Sequence, residues 1–499
     1  MKKNNVIDVH SEKFINIMLC IAPLVFMILF HLLRINDEAN VKFFMPLALA
    51  VVTAYGGYLA YKDKLDAAKA VTLLMTAGVI MRTGYTIYTH AFTRGMDIGM
   101  NNPDGVGHWG YLYRVLNGTL PESNEYQFYQ PPLFYIISVI FIKAAMFVTG
   151  GDDLNGYMYM SQLVSCIASC VALVTFSEIM DELKIKKSIQ IIPVALIAFY
   201  PIHILAAGRM NNDALVFMFM VLALYFTLKW HKEQKLGFII GIALSIGCGM
   251  MTKINGALIA FVSGPIMIYH FVKRIKSKDG TQIKDIIIQL AVFAVIVFPL
   301  GLWYPIRNYI LFDQPLNFVH DLGKNHLLYT GDRSFVERWI HVPFLNYAEK
   351  PYMDMPEDAS IWMASIKTGI HGEFEWENLA SVLAWGSDYV HALMLILCVV
   401  SFVFTAITDK DITNTQKYAP LWVWLLTFVS YIQFNVAYPY SCTPDFRYML
   451  LWQLAAAIFV GYFVDYCFRN REKRTYKILF NTEMVIIFLF CTVSIIKLL

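Results

Sequence analysis

Charged side chains are scarce in this chain. Asp, Glu, Lys and Arg make up 15% of its 499 residues, against about a quarter in a soluble domain. With 58% hydrophobic residues and a mean hydropathy of +0.52, that shortage excludes an ordinary soluble domain and places most of the chain in lipid. Neither sign of charge dominates. The net charge of +3 is too small to point to nucleic acid or to a strongly acidic partner. Of the eight cysteines, only Cys442 falls in a loop expected outside the membrane, so no disulfide framework is expected. H-E-x-x-H, G-x-S-x-G and G-x-x-x-x-G-K-[ST] are absent, which leaves a zinc protease, a serine hydrolase or a P-loop ATPase without support. No tandem repeat, low-complexity segment or second soluble domain stands out. The first apolar stretch lacks a small-residue cleavage site and is expected to remain as a helix.

What is present is a succession of apolar runs long enough to cross a bilayer, roughly 17–25 residues each. They lie near 14–34, 42–61, 67–90, 157–180, 188–207, 211–230, 236–252, 255–273, 285–310, 388–407, 417–437, 447–466 and 478–498. A further apolar run occupies about 132–149. Lys and Arg concentrate in cytoplasmic loops, so Lys2, Lys3 and Lys13 put the N-terminus inside, and Lys62, Lys64 and Lys69 mark the next inner turn. The loop after Ala91 is then outside. If 132–149 crossed the membrane, the basic turns D-E-L-K-I-K-K, K-W-H-K-E-Q-K, K-R-I-K-S-K and R-N-R-E-K-R would face outward; if it does not, all four face inward. Pro131–Val148 therefore reads as a juxtamembrane helix in the outer leaflet, interfacial or re-entrant. The expected fold is an all-α polytopic membrane protein of about 13 transmembrane helices, with the C-terminus outside. Its parts are an N-terminal hairpin (1–65), a core (66–310) with external loop 92–130 and juxtamembrane helix 131–149, an external loop (311–387) and C-terminal helices (388–499). An unstructured stretch as long as 311–387 is usually a lid or binding element.

Polar side chains that could do chemistry collect on the external side. Asp97 follows the third run closely, where a carboxylate could take a proton from an acceptor hydroxyl; the alternative is a solvated loop charge. Asp104, in N-N-P-D-G, suits a turn. His108 opens the helix-like stretch H-W-G-Y-L-Y-R-V-L and could meet a carboxylate or phosphate, or be structural. Arg209 and Asp213, in G-R-M-N-N-D, start a span whose N-terminal dipole would keep the carboxylate ionised; a local salt bridge is the plain reading. Lys253, Arg307 and Arg447 each sit at an external helix end beside apolar sequence. Snorkelling to lipid is the ordinary explanation, and a clamp on a lipid-carrier phosphate the functional one. His320, Asp321 and His326 lack a metal-ligand spacing.

G-H-W-G-Y-L-Y-R-V-L-N-G-T-L-P followed by Y-Q-P-P-L-F-Y resembles the first external loop of the GT-C glycosyltransferases, closest to the protein O-mannosyltransferase and aminoarabinose lipid A transferase branch. Asp97 and Pro131-Pro132-Leu133 match that family's loop aspartate and its Pro-Pro-Leu helix start. Arg209 and Asp213 stand where it carries a second Arg/Asp turn, and Trp303–Tyr309 is similar to the stretch before its long external loop. Two features depart from the pattern: Ile98, not an acidic residue, follows Asp97, and the first two spans precede the family's core helices. The resemblance implies a GT-C-like bundle that takes a sugar from a polyprenyl-phosphate donor, with inversion, to a glycan, lipid or protein acceptor. It implies Asp97 as general base, with Asp104 or His108 in the second role of the loop, and Lys253, Arg307 and Arg447 on the donor phosphate. No cofactor is required on this reading; a divalent cation (Mg or Mn) held by Asp97 and Asp213 is the alternative. The site would face outward from a bacterial plasma membrane, or the lumen in a eukaryote. Two other classes remain open on the sequence: a transporter or lipid flippase, though no internal repeat is visible, and a glycan polymerase or ligase using diphosphate-linked donors.

Overall fold

The structure is a computed structural model describing residues 4–89, 105–152, 154–316, 318–342, 350–355, 358–376, 379–408 and 412–499. Among these the chain is helical, and each of the thirteen expected runs lies in helix. Among the described residues eleven helices are long and apolar enough to span a membrane, which makes this an integral multi-pass membrane protein. A twelfth span arises if Lys187–Phe199 and Pro201–Ala207, bent by 52°, are one broken crossing. The remaining run, Leu236–Thr252, has 17 residues and reaches only about 25 Å, shorter than a typical hydrocarbon core.

The chain forms two compact units. The first comprises Met1–Asp37, Thr86–Leu183 and Ala207–His320. Its central helix is Tyr159–Glu182, with 83% of its most apolar window buried. Ser161, Ser165, Cys166, Ala168, Ser169 and Ala172 line this helix and are buried; small side chains let neighbouring helices approach. It packs against Asn4–Leu32, Leu133–Thr149 and Asp213–Glu233. Leu236–Thr252 lies against both Asp213–Glu233 and Gly280–Phe312. At its end the backbones of Gly249 and Gly256 nearly touch: a Cβ on Gly256 would fall 2.4 Å from the Gly249 carbonyl carbon. The expected juxtamembrane segment is the helix Leu133–Thr149, entered from Pro132 and stopped by Gly150 at φ 70°. Its first half is buried and its last turns are exposed.

The second unit comprises Glu38–Tyr85, Lys184–Ala206 and Asp321–Leu499. Phe446–Arg469 is its central helix, 89% buried over the apolar window. It packs against Lys187–Phe199, Ser381–Thr408, Asn414–Ala437 and Arg474–Leu498. The break at Pro201 has a clear cause: proline cannot donate to the preceding turn, and the carbonyls stranded there need another donor. Arg82, fully buried, supplies it, reaching Ala198 O and Ile197 O at 2.8 Å each.

The described parts of the stretch 311–387 carry structure of their own. Tyr329 pairs with Tyr440 in an antiparallel bridge, Phe335–Trp339 forms a short helix, and Ile361–His371 forms a helix buried along almost its whole length.

Candidate functional site

In the first unit, polar residues distant in sequence meet at the helix ends. Asp213 is the first residue of Asp213–Glu233, and its backbone N–H donates to Asn211 Oδ1 (3.1 Å) while Asn211 Nδ2 donates to Asp213 Oδ2 (3.3 Å). Lys253 sits between two helices with extended backbone, which turns its ammonium onto Asp213 Oδ1 at 2.6 Å. The two side chains are 11% and 16% exposed, so each offsets much of the other's desolvation. Asn212 donates to Thr252 O (3.0 Å) and to Gln130 Oε1, joining this turn to the start of the Pro-Pro helix. Gln162, buried in the central helix, donates to Gly208 O (2.6 Å) and Thr89 O (2.8 Å). Arg209 is buried in the same turn.

A second network organises the described part of the first external loop. His108–Leu116 is the helix expected there. Tyr111, fully buried, stacks on Tyr135 at 3.8 Å and lies 2.9 Å from both Gln130 O and the Tyr304 hydroxyl, which donates to Phe128 O at 2.8 Å. Burial and the Tyr304 hydroxyl push the Tyr111 hydroxyl well above its ordinary pKa, so it stays a neutral donor. His108 Nδ1 is 2.8 Å from the Tyr135 hydroxyl. Arg307 donates to Asn308 Oδ1 and to Pro121 O, both at 2.8 Å, so its guanidinium pins the loop to the end of Gly280–Phe312. Arg114 bonds Glu122 at 2.8 Å and holds that carboxyl below its usual range.

In the second unit, Arg447 sits between two carboxylates. Its Nη1 is 3.3 Å from Glu373 Oε2, its Nε is 3.5 Å from Asp445 Oδ2, and all three side chains are buried. The turn carrying Asp445 and Arg447 is fixed by Phe446 N–H to Thr368 Oγ1 (2.9 Å) and the Tyr431 hydroxyl to Pro444 O (2.8 Å). Below it, Lys367 pairs with Asp358 at 2.8 Å. Lys497 Nζ donates to His371 Nδ1 at 2.8 Å, and His371 Nε2 lies 3.3 Å from Asp388 Oδ1.

Of the residues singled out in the sequence, Asp97 and Asp104 lie outside the described residues. Lys253, grouped there with the arginines, pairs with Asp213. Asp321 accepts from the Tyr440 hydroxyl, and His326 Nδ1 accepts from Leu328 N at 3.2 Å. Among the described residues no group of three or more His, Cys, Asp or Glu side chains is arranged to hold a metal. Sequence reasoning missed Glu373, Asp445, Gln130 and Gln162. Asp445 could have been noticed two places before Arg447; Glu373 is 74 positions from its partner, and no spacing rule reaches that far.

Residues 150–319 match the family profile described as dolichyl-phosphate-mannose-protein mannosyltransferase. That stretch contains Arg209, Asp213, Lys253 and Arg307. No curated protein matches the chain. Among solved structures, ArnT from Cupriavidus metallidurans in the apo state aligns over 80% of this chain and 78% of its own, at 13% identity and TM-score 0.33. ArnT from the same organism bound to undecaprenyl phosphate aligns over 79% and 77%, at 14% identity and TM-score 0.31. Likenesses this loose carry no weight for the site.

Proposed function

We propose that this chain, whose residues 150–319 match the profile described as dolichyl-phosphate-mannose-protein mannosyltransferase, is a membrane glycosyltransferase that moves a sugar from a polyprenyl-phosphate donor to an acceptor on the non-cytosolic face. The observation that carries this reading is the Asp213–Lys253 ion pair at 2.6 Å, which fixes a cation at helix ends inside the family-matched segment. In the transfer, the acceptor oxygen bonds to the anomeric carbon from the face opposite the phosphate as the bond to the phosphate oxygen breaks. The leaving phosphate gains a negative charge, and Lys253, oriented by Asp213, offsets it. Asp97 takes the acceptor's proton. Arg307 serves less as a phosphate ligand than as the pin that holds the first loop, through Pro121 O. Arg447 is already countered by Glu373 and Asp445, so it orders the turn around it.

Reconstituted enzyme assayed with labelled polyprenyl-phosphate and polyprenyl-diphosphate sugars tests the donor class. Loss of a preorganised cation from a transition state costs about 10²–10³ in rate. Lys253→Ala should therefore fall by about that factor in kcat/KM for the monophosphate donor, with partial recovery in Lys253→Arg. Asp97→Asn should slow transfer about 10²–10⁴-fold. Wild-type donor kinetics in stably folded Lys253→Ala would remove the phosphate assignment. Exclusive use of the diphosphate donor would make the chain a polymerase or ligase, and lipid movement without transfer would make it a flippase.

A further inference from the structure

The segment 334–342 in the second unit leaves a large apolar face uncovered although its backbone is firmly held. Ser334 and Glu337 close a reciprocal capping box on the short helix Phe335–Trp339. Arg338 Nη2 donates to Asn435 O at 2.8 Å, capping the last turn of the span Asn414–Ala437. The Trp339 carbonyl accepts from Trp362 Nε1 at 2.7 Å, and Trp362 stacks on Phe428 of that same span. Val342 packs against Met363, Ile366 and Ala392. With these anchors set, Phe335, Val336 and Ile340 remain 69%, 55% and 60% exposed. Val336 and Ile340, four positions apart, lie on one side of this turn, with Phe335 beside them at the start of the short helix.

We infer that this face is embedded in the bilayer leaflet that meets the C-terminal end of Asn414–Ala437, and that its partner is lipid. The face is tied to the final turn of a membrane span, where Val436 is itself 61% exposed. It is thus continuous with a surface that already meets acyl chains. Arg338 on the same short helix is turned to the span's end carbonyl, the site where a cation complements the helix dipole. The charged residues flanking the face, Asp332, Arg333 and Glu337, are exposed and suit the headgroup layer. A partner of this chemistry also gives the segment a task. Residues 328–330 bond to the turn ahead of Asp445 and Arg447, through Thr330 N to Pro439 O (2.8 Å) and Ser441 N to Leu328 O (2.9 Å). Lipid immersion of residues 335–340 therefore sets the depth of that turn at the membrane surface.

The test uses the full chain in phosphatidylcholine vesicles, with Phe335→Cys and, separately, Ile340→Cys labelled by a small environment-sensitive fluorophore. Identically treated wild type supplies the background from native cysteines, and Asp332→Cys serves as the solvent-exposed control. Both test sites should emit at shorter wavelength than the control, lose at least half their emission with brominated acyl chains, and resist aqueous iodide. Quenching by iodide at the control's level would overturn the assignment. Protection from both quenchers would also overturn it, because protein rather than lipid would then cover the face.

Discussion

The Asp213–Lys253 pair is the plainest case of one residue's meaning depending on another. Alone, Asp213 reads as an N-terminal helix carboxylate and Lys253 as a snorkelling cation. At 2.6 Å they are one unit, and removing either leaves a largely buried charge uncompensated. A double-mutant cycle of Asp213→Asn and Lys253→Met should show a coupling of about 2 kcal/mol, measured by denaturant unfolding in mixed micelles. Strictly additive effects would mean the two do not interact. His371 gives a pH dependence. Burial first, and the Lys497 ammonium second, hold its pKa well below the ordinary 6.5, so the ring stays neutral in the fold. Below pH about 6.5 the unfolded chain binds a proton that the native chain refuses. Stability from this site is thus full above that pH and falls as the pH drops through it. Melting temperature should decline between pH 7 and 5, and more shallowly in His371→Asn; equal slopes would assign the pH response to other groups.

At the scale of elements, two arginines do structural work that their positions in the sequence do not announce. Arg82 donates to the end carbonyls of Lys187–Phe199, so Arg82→Met should strand them and destabilise the second unit by about 1–3 kcal/mol, read as a lower unfolding midpoint. Retention of the wild-type midpoint would show that water or a neighbour satisfies those carbonyls. Arg307 links Pro121 to the end of Gly280–Phe312. At the other end of that helix, Arg274 pairs with Asp285 at 2.8 Å beside the basic turn. Glu122 and Lys278 therefore lie at opposite ends of one span. Glu122→Cys and Lys278→Cys should react with a membrane-impermeant maleimide from opposite sides of sealed vesicles; reaction of both from one side would refute the assigned topology.

For the molecule as a whole, hydropathy alone made the membrane class and the thirteen apolar runs legible, because spanning a bilayer imposes a minimum length and composition on each segment. The helix His108–Leu116 was visible in its own local pattern. The buried helix Ile361–His371 was not, since 11 residues are too few to register as a span, and Ser360 at its start is a weak cue. The pairings of 213 with 253, 373 with 447 and 371 with 497 were equally hidden. Each joins residues whose separation carries no period, and only the packing of their helices brings them within reach. The sequence by itself determined where the chain is apolar, which segments are helical and which polar residues were available for chemistry, all properties of short stretches. The tertiary structure alone decided which charges neutralise each other and which arginines are spent on backbone carbonyls. A buried charge takes its behaviour from the groups packed around it, and those come from distant parts of the chain.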